Sequence, residues 1–157
     1  MLFSIYHKLE VSLAKLDILH HVTSLAGRIY VAKVFFVAGL LKIKDWETTL
    51  FLFEEEYQVP VLSPTVAAYL GTLGELCLPI LLFLGLSSRF AALGLSVVNI
   101  IAVISLEDIA AAALYLHVIW GVLLLQIAIY GPGFASVDHF FKNLNKRHLL
   151  KRSALGF

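Results

Sequence analysis

The chain has 157 residues, a length that suits one domain. It is 60% hydrophobic and 15% charged, with mean hydropathy +0.88, where a soluble domain carries about 25% charge. That balance excludes an ordinary water-soluble globule and places the chain in a membrane. Its single cysteine, Cys77, excludes an intrachain disulfide, a CxxC redox pair and a cysteine zinc site.

Residues 1–21 are not a continuous apolar run. Leu2, Ile5, Tyr6, Leu9, Leu13, Leu16 and Leu19 recur at three- and four-residue spacing, while Lys8, Glu10, Lys15 and Asp17 fill the other face. This pattern predicts an amphipathic helix lying on a membrane surface or on neighbouring helices. The first spanning candidate covers 22–41 and contains Arg28 and Lys33. Arg28 is near enough to the start to snorkel to the interface, whereas Lys33 lies deeper. Residues 44–58, KDWETTLFLFEEEYQ, are too polar to span. Trp46, Leu50, Phe51, Phe53 and Tyr57 predict a short interfacial helix with Glu54, Glu55 and Glu56 facing water. Ser63 and Pro64 fit the N-cap and first position of the next helix.

The second span, 64–86, has one ionisable residue, Glu75, near its middle. Its 23 residues rise about 34 Å, slightly more than the ~30 Å hydrocarbon core of a bilayer. A lone carboxylate at that depth is costly unless partnered, so Glu75 is expected to face the other helices. The third span covers 90–106 with Asn99 midway, and the fourth 109–130 with His117, Trp120 and Gln126. Gly131, Pro132 and Gly133 stop it, and a polar, basic tail follows over 138–157. The fold expected is all-α, a single-domain four-helix transmembrane bundle with an amphipathic interfacial helix at each surface.

Lysine and arginine placement orients the bundle. Four spans put both termini and the turn at 85–89 on one side, with Lys8, Lys15, Arg28, Arg89, Lys142, Lys146, Arg147, Lys151 and Arg152. The other side holds Lys42 and Lys44 and most of the acidic residues. The positive-inside rule makes the first side cytoplasmic. The basic tail suits anionic lipid headgroups and not nucleic acid.

The buried polar candidates each carry a packing reading and a functional one. Glu75 either fixes helix register in an ion pair or relays protons or ligand. Its expected partner is Arg28 or Lys33. These point about 140° apart on an ideal helix, so one of them is expected to reach it. His117 is a satisfied core residue or a hydrogen-bond partner for a ligand such as a quinone carbonyl. Asn99, Trp120 and Gln126 either bond across helices or line a site for a flat amphipathic ligand. His20 and His21 are adjacent, a poor metal clamp, and no metal site is expected.

The order Arg28, GLLK at 39–42, an aromatic and acidic loop, GELCLPILLFLGL at 74–86, Ser88-Arg89 and GPGFASVD at 131–138 resembles the DoxX family of small four-helix bacterial membrane proteins. The resemblance runs from Arg28 to Asp138, on Arg28, Gly39, Lys42, Glu75, Gly85, Arg89, Gly131, Gly133 and Asp138. Lys33 departs from it, since that position is more typically apolar. The resemblance implies a bacterial inner-membrane protein, a membrane subunit of a quinone-linked oxidoreductase or redox assembly. Quinone would be the ligand, and a soluble or membrane partner would supply the redox centre; no flavin, haem or iron–sulfur motif is visible in the sequence. Self-association is compatible with this. The alternative is a non-enzymatic scaffold or small transport-type protein, serving a metal or modified-peptide pathway. Cys77 alone cannot supply the dithiol chemistry of the family's wider relatives.

Overall fold

The computed structural model describes residues 16–154, with side chains over 19–145. The helices are α1 (Leu16–Lys44), α2 (Trp46–Glu55), α3 (Pro64–Leu84), α4 (Ser88–Ile104), α5 (Ala111–Tyr130) and α6 (Val137–Ala154). No strand occurs among the described residues. Three of these helices, α1, α3 and α5, are long and apolar enough to cross a membrane, and α4 is a shorter apolar helix. Most of the amphipathic helix expected over 1–21 lies outside the described residues. Residues 16–21 belong to α1, which is therefore longer than the 22–41 span. The tail, expected to be merely polar, is helical from Val137 to Ala154.

Packing runs in a ring: α1 on α3, α3 on α4, α4 on α5 and α5 back on α1. Cross-helix bonds show that neighbours are antiparallel. Arg28, early in α1, meets Leu82 and Phe83 at the end of α3; Asn99, late in α4, meets His117, early in α5. Val31, Phe35, Leu82, Leu95, Leu124 and Ile127 fill the core, with Ala32, Ala91 and Ala92 between them. Large apolar residues outside this core, such as Phe83, Ile100, Val122 and Ile129, are exposed on the bundle's outer face, as a lipid-facing surface requires.

Because lipid is as apolar as a leucine side chain, close backbone approach must hold such helices together. Gly39 provides it between α1 and α3: a Cβ there would lie 2.9 Å from Leu76 Cγ and 3.1 Å from Glu75 Cβ. Gly94 does the same between α4 and α3, where a Cβ would meet Leu78 Cδ1 at 2.8 Å.

Helix α2 lies across the start of α3. Asp45 caps it, accepting from the Thr48 amide at 3.1 Å and the Thr48 hydroxyl at 2.8 Å. Its buried Thr49 and Phe53 face the bundle, Phe53 packs on Ala67 and Ala68, and Glu54 and Glu55 are exposed. After α2 the chain is tied to the far side of the ring: Gln58 N donates to Ser105 O at 2.8 Å, and Gln58 Nε2 to Glu107 Oε1 at 2.5 Å. The segment thus roofs one end of the bundle. Ser63 occupies the N-cap of α3 with Pro64 at its first turn, but its side chain makes no capping bond.

The glycine contacts give a direct test. Gly39→Ala should be less stable than Gly27→Ala by at least about 1 kcal/mol, because a Cβ at Gly27 meets only Leu123 Cδ2 at 3.4 Å. Thermal melts of both variants in the same detergent check this; equal melting temperatures would show that α1 and α3 are not in tight contact at Gly39.

Candidate functional site

Beneath α2 lies a cavity of about 370 Å³. Its walls are mostly apolar, formed by Leu62 and Leu70 from the α3 side and by Val97, Val98 and Ile101 from α4, with Phe53 in the roof. The polar groups that reach it are Lys42, Tyr57, Glu75, Ser105 and His117.

Glu75 is 6% exposed, and both its carboxylate oxygens accept from Lys42 Nζ at 2.5 Å. This corrects the expected pairing with Arg28 or Lys33. The reason lies in helix geometry. Gly39 is level with Glu75, and Lys42 is three residues on, hence on the same face of α1. Side chains of a helix lean toward its N-terminus, so the Lys42 stem runs back down to the Gly39 level. Counting depth from the expected helix end had placed Lys42 at the surface; the Gly39–Lys42 spacing was the signal that could have found it. The ammonium also lies 5.9 Å from the Phe53 ring centroid, within cation–π range. The Lys42 carbonyl accepts from Thr49 Oγ1 at 3.0 Å, which couples α1 to the roof. Pro79 cannot donate to the carbonyl of Glu75 one turn earlier, so the α3 hydrogen-bond ladder is interrupted beside the ion pair.

Across the cavity, His117 and Asn99 form a closed pair between α5 and α4. Asn99 Nδ2 donates to the His117 carbonyl at 2.9 Å, and Asn99 Oδ1 lies 2.8 Å from His117 Nδ1. Trp120 packs edge-on against the His117 ring at 4.8 Å and against Phe35, and its Nε1 donates to the Tyr30 hydroxyl at 3.3 Å. Trp120 thus supports His117 without lining the cavity, and Gln126 does not line it either. Tyr57, from the loop after α2, packs on Phe53. Burial, followed by the charges of Glu56 and Glu75, pushes its phenol above the ordinary tyrosine value. Sequence reading placed Tyr57 in the interface without connecting it to Glu75; only the return of the loop over α3 does so.

Arg28 serves the opposite end. It is 1% exposed and donates to four backbone carbonyls: Leu82 (2.9 Å), Phe83 (2.7 Å), Pro132 (2.7 Å) and Ala135 (2.9 Å). The first two belong to the last turn of α3, where Leu82 O also accepts from the Gly85 amide at 3.2 Å. Gly85 ends α3 at φ +70°, and a Cβ there would sit 2.5 Å from Ser136 Cβ and 2.7 Å from Arg28 Nη2. Only glycine fits. Asp138 closes the same end by accepting from the Ser87 and Ser88 amides at 2.8 and 2.9 Å and from the Ser88 hydroxyl at 2.9 Å. Burial pushes the Asp138 carboxyl up, but these bonds and the Lys142 charge outweigh it and hold it below the ordinary aspartate value. Arg89 Nη2 donates to Ile129 O at 3.1 Å, Gly131 O accepts from Ser24 Oγ at 3.1 Å, and Gly133 packs on His21.

The sequence candidates therefore divide between two places. Lys42, Glu75 and His117 line the cavity, with Gly39 packed behind Glu75 and Asn99 bonded to His117. Arg28, Gly85, Arg89, Gly131, Gly133 and Asp138 gather at the far end. Lys33 joins neither: it is exposed on α1, its stem lying along an outward-facing apolar groove with Phe36, Ile80 and Phe83. Among the described residues no three His, Cys, Asp or Glu side chains converge as metal ligands.

An apolar four-helix bundle with outward-facing leucine, isoleucine and phenylalanine defines a multi-pass membrane protein. The DoxX family model matches residues 23–108, more than half of the 157, and the chain belongs to the DoxX family. The matched segment holds Gly39, Lys42 and Glu75 but ends before α5, so His117 lies outside it. Neither the curated proteins nor the solved structures compared with this chain gave a match.

Arg28→Lys tests the far-end lock. A lysine keeps the charge but cannot fan out to carbonyls on two separate segments. Loss of these charge-assisted bonds should lower unfolding stability by about 3 kcal/mol, since each is worth ~1.5–3 kcal/mol. Denaturant melts in detergent measure it; an unchanged midpoint would contradict the assignment.

Proposed function

We propose that this protein is the quinone-binding membrane subunit of an oxidoreductase assembly and that the cavity beneath α2 seats the quinone ring. The observation that carries the reading is the cavity itself. Its volume of about 370 Å³ lies within the roughly 300–1,000 Å³ typical of small-molecule sites. Its walls are aliphatic and aromatic, and its few polar groups converge from different helices: Lys42 and Glu75 on one side, His117 on the other, Tyr57 from the roof. A flat ring with oxygen at opposite ends and an apolar tail matches that distribution, and the lipid phase would deliver it. The redox centre belongs to a partner protein, so this chain's residues bind, orient and exclude water.

A second reading has its own support. Lys42 and Glu75 neutralise one another at 2.5 Å, as a purely structural pair would. In that case the protein is a scaffold or small transport-type protein and the cavity is incidental.

Photoreactive benzoquinone with a decyl tail separates the two. In nanodiscs it should label residues of the cavity, and excess unlabelled quinone should remove the label. Glu75→Gln leaves the Lys42 ammonium without its carboxylate, so it should still fold but at a lower melting temperature, and it should lose most of the labelling. Labelling spread over the lipid-facing surface, undiminished by competitor, would favour the scaffold.

For localisation we propose the bacterial inner membrane with both termini cytoplasmic, on the distribution of lysine and arginine. A reporter active only outside the cytoplasm should be silent when fused after Phe157 and active when inserted at Glu55; the reverse pattern would overturn the orientation.

A further inference from the structure

We infer that the cavity selects ligands that present a hydroxyl donor, and so takes a hydroquinone in preference to the corresponding quinone. The inference rests on the quinone reading above for the identity of the ring, but not for the donor preference.

The argument starts from Asn99. Its amide nitrogen lies 2.9 Å from the carbonyl of His117, and a carbonyl can only accept. This fixes the amide orientation. Asn99 Oδ1 must then be the atom facing His117 Nδ1 at 2.8 Å. An amide oxygen also only accepts, so Nδ1 carries the proton. A neutral imidazole has one N–H, which leaves Nε2 with a lone pair. Nε2 has no hydrogen-bond partner among the described residues, and it is not among the fully buried partnerless atoms, which are His21 Nδ1 and Thr72 Oγ1. It is therefore at least partly accessible, and His117 is a lining residue of the cavity. The ring cannot readily turn to exchange its nitrogens. Asn99 is 5% exposed and bonds both the carbonyl and the ring of His117, and Trp120 packs on the imidazole at 4.8 Å.

The other polar groups of the cavity point the same way. Ser105 donates its hydroxyl proton to Ile101 O at 2.6 Å, so its oxygen offers lone pairs. Glu75 is an acceptor with lone pairs beyond the two that Lys42 occupies. The donors are fewer: the remaining N–H of Lys42 and the Tyr57 hydroxyl. A quinone brings two carbonyl acceptors to a predominantly accepting site. A hydroquinone brings two O–H donors and still offers oxygen to Lys42. A site whose buried acceptors go unmatched discriminates strongly against the ligand that lacks the donor.

Two measurements test this on the full chain in nanodiscs, at about pH 8 where an ordinary imidazole is neutral. The first is the ¹⁵N spectrum of the histidine side chains, with His117 assigned by His117→Phe. It should show His117 Nδ1 protonated and Nε2 bare, and Asn99→Leu should abolish that single tautomer. A protonated Nε2 in the wild type overturns the inference. The second is binding, followed by tryptophan fluorescence without oxygen, of decylbenzohydroquinone, decylbenzoquinone, para-decylphenol and para-decylanisole. Hydroquinone should bind at least ~10-fold tighter than quinone, and phenol tighter than its methyl ether by a similar factor, with both ratios falling toward unity in Asn99→Leu. Equal affinities for both members of each pair would overturn the donor preference while leaving the quinone site standing. A preference for phenol over ether, with neither quinone form bound, would uphold the donor preference and remove the quinone reading. Failure of all four probes to bind would overturn both.

Discussion

The constraint on which the rest of the structure depends is the burial of the Glu75 carboxylate, whose counter-charge is the partly buried ammonium of Lys42. Taking either ion out of water costs several kcal/mol, and the loss is offset only when the two meet in good geometry. Lys42 meets both oxygens of Glu75. To bring the lysine stem to that level, α1 and α3 must touch at Gly39, where nothing larger fits without displacing Leu76 or Glu75. The pair therefore sets the register of α1 on α3. Through Thr49 and Phe53 it also sets how the roof sits on the bundle.

The two ends of the bundle are built on different principles. At the far end Arg28 spends its donors on backbone carbonyls, and glycine and aspartate close the remaining loops. These groups satisfy one another and enclose no cavity with Glu75. At the α2 end the polar groups are shared between packing and open space. His117 has one nitrogen engaged and one free, and Glu75 has lone pairs to spare.

Much of the fold was legible in the sequence because lipid imposes simple demands. Apolar runs of membrane-spanning length had to be helices, and the aromatic and acidic pattern of 45–58 marked a segment that would lie across them. The site was harder to read, for identifiable reasons. Glu75 announced itself by its cost, but the same reasoning searched for a cation at equal depth and passed over Lys42, whose long stem works one turn away from its own Cα. Arg28 looked like a partner for that carboxylate because of an arginine's reach and bidentate geometry. Its actual partners are carbonyls of the last turn of α3 and of the loop after α5, which no pattern of side chains records. Asn99 and His117 are 18 residues apart in sequence, and only the antiparallel packing of α4 on α5 makes them a pair. The helical character of 137–154 was hidden by its polarity.

A double-mutant cycle on Lys42→Met and Glu75→Gln tests the central claim most directly. Unfolding free energies are measured for the wild type, both single variants and the double variant in one detergent or bicelle. A buried pair that fixes helix register predicts that the Lys42→Met variant, which leaves a carboxylate without its cation, loses about 3–5 kcal/mol. It also predicts that adding Glu75→Gln recovers part of that loss, with a coupling energy of at least about 2 kcal/mol. Additive effects within about 0.5 kcal/mol would contradict it, because two groups that do not sense each other cannot organise the bundle between them.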